Sequence, residues 1–120
     1  HYDKPVIVTR YPTKIMGFYK PEDPKDPKVA LCLDMIAPEG YGEIIGGSQR
    51  SMDIDDMKKR LKDMGENPKS YQWYFDCREY GGVPHSGYGL GVERVVSWLC
   101  GLDDIKDTIP YPRTMTRYRP

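Results

Sequence analysis

The strongest constraint on the fold is a nine-residue run, Val29–Ala37, in which Asp34 is the only charged side chain. The run is too short to cross a membrane and is bounded by turn-forming residues, so it predicts a buried β-strand. The segment Pro38–Gly42 predicts a turn, and Glu43–Arg50 predicts a second strand. Two strands joined by so short a turn lie antiparallel, so the fold is built on an antiparallel sheet.

Further strands and helices are predicted along the rest of the chain. β-Branched, apolar or glycine-rich stretches predict strands at Pro5–Thr9, Ile15–Tyr19 and Ser86–Leu90. The charged, proline-rich segment Lys20–Lys28 predicts a solvated loop. Apolar residues at helical spacing predict helices at Ile54–Met64, Tyr71–Tyr80 and Val92–Leu99. Strands paired by short turns, with helices grouped later, predict an α+β fold in which helices flank an antiparallel β-sheet.

Composition limits the class of protein and its compartment. The chain of 120 residues is long enough for one domain with a modest core. Its 18 basic and 18 acidic side chains cancel, which removes the overall positive charge typical of nucleic-acid binding proteins. No stretch reaches the roughly 20 apolar residues of a membrane span, and no signal-peptide pattern opens the chain, so no membrane association is expected. The three cysteines lack CxxC spacing, which argues against disulfides and structural zinc and favours the cytoplasm.

The segment Pro84–Arg94, PHSGYGLGVER, carries alternating glycines at Gly87, Gly89 and Gly91 before a helix begins. A strand without side chains on one face offers a flat surface on which a planar ring can lie against the backbone. Arg94 at the strand–helix junction can then reach a base or a phosphate, because its guanidinium is flat, charged and forked. Close packing or a bulge explains the glycines equally well. This segment alone therefore does not establish a nucleotide site.

A second candidate is the segment Gly42–Arg50, GEIIGGSQR. Glu43 can ligate a magnesium ion bound to a nucleotide triphosphate, because carboxylate oxygens suit hard cations. Arg50 lies at an odd separation from Glu43, so a regular strand places the two on opposite faces unless a bulge at Gly46–Gly47 intervenes. An ordinary surface glutamate and arginine are the alternative interpretation.

Three further features have both a functional and a structural explanation. Asp34 lies within an apolar strand, where an unpaired carboxylate is costly, and pairing with an arginine is the simpler account. His85 can contact a substrate, or it can be a packed or surface histidine. Aromatic side chains at helical spacing can stack on bases, but core packing is the expected role. These are Tyr71, Trp73, Tyr74, Phe75 and Tyr80.

Recognised motifs for acid–base or covalent catalysis are missing from the sequence. The chain has no HExxH, no GxSxG, no recognisable Cys–His pair, no Rossmann GxGxxG and no P-loop. Glycines, carboxylates and arginines remain as candidates. Such groups suit the positioning and charge stabilisation of a substrate that carries phosphoryl groups.

Three segments in order resemble the end of the class II aminoacyl-tRNA synthetases of the aspartyl and asparaginyl group: GEIIGGSQR, WYFDCREYGGVPHSGYGLGVER and DIKDTIPYPR. The resemblance runs from VTRYPTKIMGFY through PYPR, and GYGLGVER is similar to motif 3 of that family. It implies that residues 1–120 are the C-terminal portion of the catalytic domain, with motif 3 at residues 86–100. The fold implied is part of the class II antiparallel sheet with its flanking helices.

The resemblance also implies a role for each candidate residue. Glu43 would hold ATP and its Mg²⁺, and Arg94 would contact the nucleotide; these two would be the catalytic residues. Arg50 would bind the amino-acid substrate, and His85 would shape the wall near it. The segment that would line the ATP site with Glu43 comprises Gly91, Val92, Glu93 and Arg94.

Two positions depart from the aspartyl enzymes. Gly46 stands where some of them carry a serine three residues after the glutamate, so a second protein ligand for the metal is not expected there. Arg10 stands where many aspartyl relatives have an acidic residue. With WYFD, PHSGYGLGVER and PYPR, the chain resembles the asparaginyl branch more closely.

The implied reaction is attack of the asparagine carboxylate on the α-phosphate of ATP, followed by transfer to tRNA(Asn). The intact enzyme would be a cytoplasmic homodimer. Because the anticodon-binding OB domain, motif 1 and the motif 2 loop are missing, we expect a fragment that is inactive, or nearly so, alone. The alternatives are an aspartyl-tRNA synthetase, a synthetase-like paralogue that makes asparagine from aspartate, and a non-catalytic binding module of the same fold.

Overall fold

The computed structural model describes residues 2–119, which form an α+β fold with antiparallel sheets, as predicted. The strands are β1 Val6–Thr9, β2 Glu22–Asp23, β3 Asp26–Ala30, β4 Cys32–Ala37, β5 Gly42–Gln49 and β6 Ser86–Leu90. The α-helices are α1 Ile54–Asp63, α2 Gln72–Glu79 and α3 Val92–Cys100. Short 3-10 helices occupy Thr13–Ile15, Pro68–Tyr71 and Ile105–Thr108.

Two sheets organise the strands. A four-stranded sheet has the order β1–β4–β5–β6, so β1 and β6 are its edge strands. A two-stranded sheet pairs β2 with β3 antiparallel. The chain forms two compact units: one comprises the chain up to Val8, Asp34–Gly46 and the chain from Tyr88 onward, and the other comprises Thr9–Leu33 and Gly47–Gly87.

The core of the second unit is formed by side chains from α1, α2 and the segment before β2. Its fully packed members are Phe18, Met57, Leu61 and Phe75. Tyr71 and Tyr74 lie edge-on against Phe18, with ring centroids 5.1 and 5.8 Å away, which is a favourable aromatic geometry. The core prediction is therefore confirmed for Tyr71, Tyr74 and Phe75. It is wrong for Trp73 and Tyr80, whose side chains are 66% and 85% exposed.

The predicted helices are confirmed, and their ends have clear causes. The carboxylate of Asp53 accepts the N–H of Asp56 at 2.9 Å and caps α1. Gly65 follows α1 and Gly101 follows α3, with φ of +81° and +64°, a left-handed conformation that glycine adopts without steric cost. Within the first unit, the buried Ser97 hydroxyl donates to the carbonyl of Leu102 at 2.7 Å and secures the end of α3.

The predicted strand at Ile15–Tyr19 is wrong. Backbone hydrogen bonds close locally there, from Ile15 N to Pro12 O at 3.2 Å and from Lys20 N to Gly17 O at 3.0 Å. The chain instead forms a 3-10 helix and then a turn. These turns deliver Phe18 to the core, where burial of its ring outweighs any local preference for an extended chain.

The predicted loop at Lys20–Lys28 is also wrong, because this segment forms the β2–β3 hairpin. Its acidic side chains stabilise the turn: the carboxylate of Asp23 accepts the N–H of Lys25 at 2.9 Å. The apolar run Val29–Ala37 is two strands and not one, since Leu31 separates β3 from β4. Leu31 donates its N–H to Pro21 O at 2.9 Å and accepts from Gln49 N at 3.0 Å.

Arg10 fastens the chain after β1 to the β2–β3 hairpin. Its guanidinium lies 2.9 Å from the carboxylate of Asp23, whose side chain is only 4% exposed. The N–H bonds do not point along this contact, so charge attraction and not an aligned hydrogen bond holds the pair. Arg10 adopts a φ of +62°, which is unfavourable for a residue with a Cβ, so the ion pair offsets a local backbone cost.

Between residues 2 and 119, no helix is at once long and apolar enough to traverse a lipid bilayer.

Candidate active site

Glu43 and Arg94 are brought together in the first unit. Glu43 is the second residue of β5, and Arg94 lies in the first turn of α3. The Arg94 Nη1 donates to the Glu43 carbonyl oxygen at 2.6 Å, across 51 residues of sequence. The neighbouring hydrogen bond from Gly91 N to Ile44 O, 3.0 Å long, joins the end of β6 to β5. Two consecutive carbonyls of β5 thus hold the junction between β6 and α3.

The start of α3 presents its backbone and the Arg94 stem on an open surface. Gly91 is the N-cap residue, and no side chain caps the N–H groups of the first turn. A Cβ at Gly91 would lie 3.4 Å from Cγ and Cδ of Arg94, so the stem passes directly over this glycine. Val92 and Glu93 are exposed. A Cβ at Gly89 would meet no atom within 4 Å, so the strand is open above it.

Two carboxylates converge beside Gly46. A Cβ at this glycine would lie 2.5 Å from Glu43 Oε1 and 3.4 Å from Asp34 Oδ1, so the absence of a side chain makes room for both groups. Asp34 is half-buried. The expected pairing of Asp34 with an arginine is wrong, because no ion pair between residues 2 and 119 includes it. Instead, the carboxylate of Glu43 lies beside the same glycine.

Arg50 and His85 are brought together in the second unit. Arg50 directly follows β5, and its backbone N–H donates to the His85 carbonyl at 2.9 Å. The Arg50 Nη1 donates to the Ser48 carbonyl at 3.1 Å and also to the Ser48 hydroxyl. Its Cζ lies 5.2 Å from the centre of the Tyr19 ring, a cation–π contact. The guanidinium is therefore fixed while most of its donors remain free.

The His85 side chain is exposed and turned toward its own backbone. Its Nδ1 lies 2.8 Å from the Val83 carbonyl oxygen. Since a carbonyl only accepts, Nδ1 must carry the proton, and this hydrogen bond assigns the tautomer. In the neutral ring, Nε2 is then left as an acceptor.

Sequence reasoning missed Ser48 and Tyr19, and it interpreted Asp34 incorrectly. Asp34 carried a clear signal, a charge within an apolar run. Nothing in the sequence indicated Ser48 or Tyr19. A serine two residues before Arg50 carries no signal of its own, and the contact of Tyr19 depends on where two separate segments meet.

One surface cavity is lined by a predicted site residue, and a second cavity is not. A cavity of about 450 Å³ in the first unit is lined by Arg94 together with Tyr41, Ser97 and Asp103. A cavity of about 930 Å³ in the second unit lies between the β2–β3 hairpin and α1. None of the predicted site residues lines the larger cavity, and its charges are mixed. Volume therefore does not identify the site; the pairing of Glu43 with Arg94 is the better guide.

Comparison with known proteins gives one consistent result. The model of the family "tRNA synthetases class II (D, K and N)" matches residues 1–115. The asparagine–tRNA ligase of Deinococcus deserti is 52% identical over 120 residues, which are 100% of this chain and 27% of that protein. The chain thus spans about a quarter of the length of this relative.

Solved structures agree with the sequence relatives. The asparaginyl-tRNA synthetase from Pyrococcus horikoshii complexed with asparaginyl-adenylate matches with a TM-score of 0.92 and 54% identity, over 99% of this chain and 27% of that one. The aspartyl-tRNA synthetase from Entamoeba histolytica matches with a TM-score of 0.87 and 29% identity, over 98% of this chain and 24% of that one. Sequence motifs, fold and relatives all agree, and the chain belongs to the class II tRNA synthetases of the D, K and N family.

Proposed function

We propose that this chain is the C-terminal portion of the catalytic domain of an enzyme that activates asparagine with ATP and transfers it to tRNA(Asn). The observation that best supports this function is the hydrogen bond from Arg94 to the Glu43 carbonyl. It joins the two predicted nucleotide residues from distant parts of the sequence at the open start of α3. In this proposal, residues 86–100 are motif 3, and they correspond to β6 and α3.

In the reaction, the asparagine carboxylate attacks the α-phosphorus of ATP. A bond forms between the carboxylate oxygen and phosphorus, and the bond to the β-phosphate oxygen breaks, so pyrophosphate leaves. Arg94 contacts the nucleotide and offsets the negative charge that develops on the α-phosphate. Glu43 would hold ATP through a bound Mg²⁺, while Gly91, Val92 and Glu93 line the proposed ATP site.

Magnesium fits the carboxylates beside Gly46. Asp34 and Glu43 supply oxygen ligands there, and Mg²⁺ commonly takes one or two carboxylates together with substrate phosphates. The part of the chain described by the structure holds no cluster of three or more His, Cys, Asp or Glu side chains, so phosphates and water would complete the coordination. When bound, the ion supplies positive charge that neutralises the phosphate oxygens.

Arg50 and His85 serve the amino acid in this proposal. A guanidinium with free donors binds a planar oxygen acceptor strongly and with a defined orientation. The His85 carbonyl holds the Arg50 backbone, so the base of the arginine is fixed before substrate arrives. The exposed imidazole shapes the wall beside it.

The intact protein is proposed to be a cytoplasmic homodimer that binds ATP, asparagine and tRNA(Asn). The three cysteines, Cys32, Cys77 and Cys100, are all free thiols, which suits a reducing compartment. The chain covers about a quarter of its relatives' length, so the remaining parts of the active site lie outside it.

Amino-acid-dependent exchange between ATP and pyrophosphate tests this function on the full-length protein. We expect exchange with asparagine and little or none with aspartate. Exchange confined to aspartate would replace the proposal with an aspartyl-tRNA synthetase or an enzyme that makes asparagine. No exchange with either amino acid would favour a non-catalytic module.

A further inference from the structure

Arg50 carries a charge that the described chain does not neutralise. No ion pair within residues 2–119 includes it, although its side chain is half-buried. Both hydrogen bonds of its guanidinium leave from Nη1 and end on Ser48. Within the same residues no acceptor is hydrogen-bonded to Nε or Nη2. One edge of the guanidinium is therefore used by the protein, and the opposite edge is free.

From this arrangement we propose that Ser48 and Tyr19 are positioning residues that present the Nε–Nη2 edge of Arg50 to the amino-acid substrate. This rests on the proposed function, in which Arg50 binds that substrate. The Ser48 carbonyl and hydroxyl take both N–H bonds of Nη1, so Nη1 has none left for a ligand. The two parallel N–H bonds of Nε and Nη2 match a carboxylate or the carbonyl of a carboxamide.

Tyr19 connects this arrangement to the hydrophobic core. Its ring lies edge-on to Phe18, with centroids 5.5 Å apart, and Phe18 is a member of the core. The Tyr19 carbonyl accepts the N–H of Ser51 at 2.8 Å, next to Arg50 in sequence. Because the core holds one side of the Tyr19 ring, the π-face of this ring contacts the Arg50 guanidinium at a fixed position.

Gly87 supplies the space that the guanidinium occupies. A Cβ at this position would lie 3.0 Å from Nη2, 3.4 Å from Cζ and 3.5 Å from Nε of Arg50. The group thus packs against the glycine backbone. The φ of Gly87 is not in the left-handed region, so alanine fits its backbone and acts only by displacing Arg50.

The test measures KM for asparagine and KM for ATP in exchange assays on the full-length protein. Ser48→Ala removes the hydroxyl acceptor of Nη1 and leaves only the backbone carbonyl to hold the guanidinium, and loss of a hydrogen bond to a charged group should raise KM for asparagine roughly 10-fold or more. KM for ATP should stay within about twofold, because Ser48 is assigned no contact with the nucleotide. Ser48→Thr keeps the hydroxyl and should restore KM for asparagine.

Two further variants keep the test independent of Ser48, which is buried and whose loss can affect folding. Gly87→Ala and Tyr19→Leu should each raise KM for asparagine, whereas Tyr19→Phe should not. Ser70→Ala and Tyr80→Leu are the matched controls, since both side chains are exposed. Melting temperatures of the same variants show whether a rise in KM comes from unfolding of the protein or from displacement of Arg50.

The outcomes distinguish this inference from the proposed function. If the wild-type protein shows no asparagine-dependent exchange, the proposed function fails and this inference fails with it. If the wild-type protein is active but Ser48→Ala, Gly87→Ala and Tyr19→Leu leave KM for asparagine unchanged, only the positioning roles are overturned. A change in the ratio of KM for asparagine to the inhibition constant of aspartate, measured as a competitor in the same assay, assigns the free edge to the substrate's side chain. Equal rises for both assign it to the α-carboxylate, and either result supports the positioning role.

Discussion

The contact between Arg94 and Glu43 is made to a backbone carbonyl, which any residue at position 43 would supply. In the proposed function, the arginine would therefore already be in place before ATP binds, and its role would depend on its own side chain. We expect Arg94→Ala in the full-length protein to lower kcat/KM for ATP by about 100-fold or more, because a charge at the reacting phosphate is removed.

Arg94→Lys should recover only part of this loss, since an ammonium group keeps the charge and loses the fork. Lys62→Ala, which removes an exposed cation on α1, is the control and should leave the exchange rate unchanged. Unchanged kcat/KM in Arg94→Ala would remove this arginine from the nucleotide site.

Gly46 is the second position at which the proposed function depends on one residue, because its missing side chain leaves room for the Glu43 carboxylate. A Cβ there would lie 2.5 Å from the Glu43 carboxylate, so Gly46→Ala must push that carboxylate away. We expect the Mg²⁺ concentration for half-maximal exchange to rise roughly 10-fold, as happens when a metal ligand loses its orientation. KM for asparagine at saturating Mg²⁺ serves as the internal control. An unaltered Mg²⁺ dependence would argue against Glu43 as a ligand.

At the residue scale, the sequence indicated candidate site residues but not the contacts that hold them in place. Glu43, Arg94, Arg50 and His85 were each singled out by charge or by their place beside glycines. Ser48 and Tyr19 were not, because a serine in a strand and a tyrosine near a turn carry no signal of their own. The contact of Tyr19 with Arg50 arises only when segments about 30 residues apart meet in the fold. The contact of Ser48 is local, two residues along the strand, but it depends on the rotamer of Arg50.

Among the secondary-structure elements, those with strong local signals were predicted well. The helices α1 and α3 combine apolar periodicity with a glycine stop, and β6 has turn-forming residues before it and a glycine after it. The segments from Ile15 to Lys28 were predicted wrongly, because their conformation is set by burial of Phe18 and by side-chain hydrogen bonds to backbone N–H groups. The local sequence pattern carries no information about the burial of Phe18 or about these hydrogen bonds.

The end of α3 provides a test at the scale of one element. Gly101 has a φ of +64°, where a Cβ costs about 1–2 kcal/mol. Gly101→Ala should lower the melting temperature of the full-length protein, while Gly101→Asn should lower it less, because asparagine tolerates the left-handed region. Equal losses for the two variants would mean that backbone conformation is not the cause.

The 3-10 helix Ile105–Thr108 provides a test by pH. The Lys106 side chain lies 2.9 Å from the Asp104 carboxylate, and this hydrogen bond is the main cause that lowers the pKa of Asp104. Since the folded pKa lies below the unfolded one, the contribution to stability is present above the unfolded pKa and is lost as pH falls through the folded pKa. Both side chains are exposed, so the pKa itself is the sensitive readout.

Lys106→Met should move the pKa of Asp104 up toward its ordinary value, measured by NMR titration of the carboxyl carbon. Lys62→Met is the control and should leave this pKa in place. If Lys106→Met leaves the titration curve of Asp104 where it was, the salt bridge does not form in solution.

At the scale of the whole molecule, the first unit presents several large apolar side chains at its surface. Tyr88 and Leu90 on β6 and Val92 and Leu99 on α3 are all exposed. Large exposed apolar side chains on consecutive elements of the chain are typical of surfaces that pack against further protein. Relatives in this family are about four times as long as this chain, which is consistent with such packing in the full-length protein.

We therefore expect the 120-residue chain, made alone, to show no asparagine-dependent exchange under conditions in which the full-length protein is active. The physical reason is that, in the proposed function, Glu43 and Arg94 would form only one side of the nucleotide site, and the chain spans about a quarter of the length of its relatives. Circular dichroism on the same sample checks that it is folded. Exchange by the isolated chain at a rate near that of the full-length protein would contradict this prediction.

The hydrogen bonds from Gly91 to Ile44 and from Arg94 to Glu43 end on neighbouring carbonyls of one strand. In the proposed function, Arg94 would contact the nucleotide and Glu43 would face the metal, and a single stretch of backbone holds both residues in place. A temperature-sensitive allele at this junction would lose affinity for ATP and for magnesium at the same temperature. Suppressor mutations that restore the affinity for ATP would also restore the affinity for magnesium, so the two affinities would be lost and regained together.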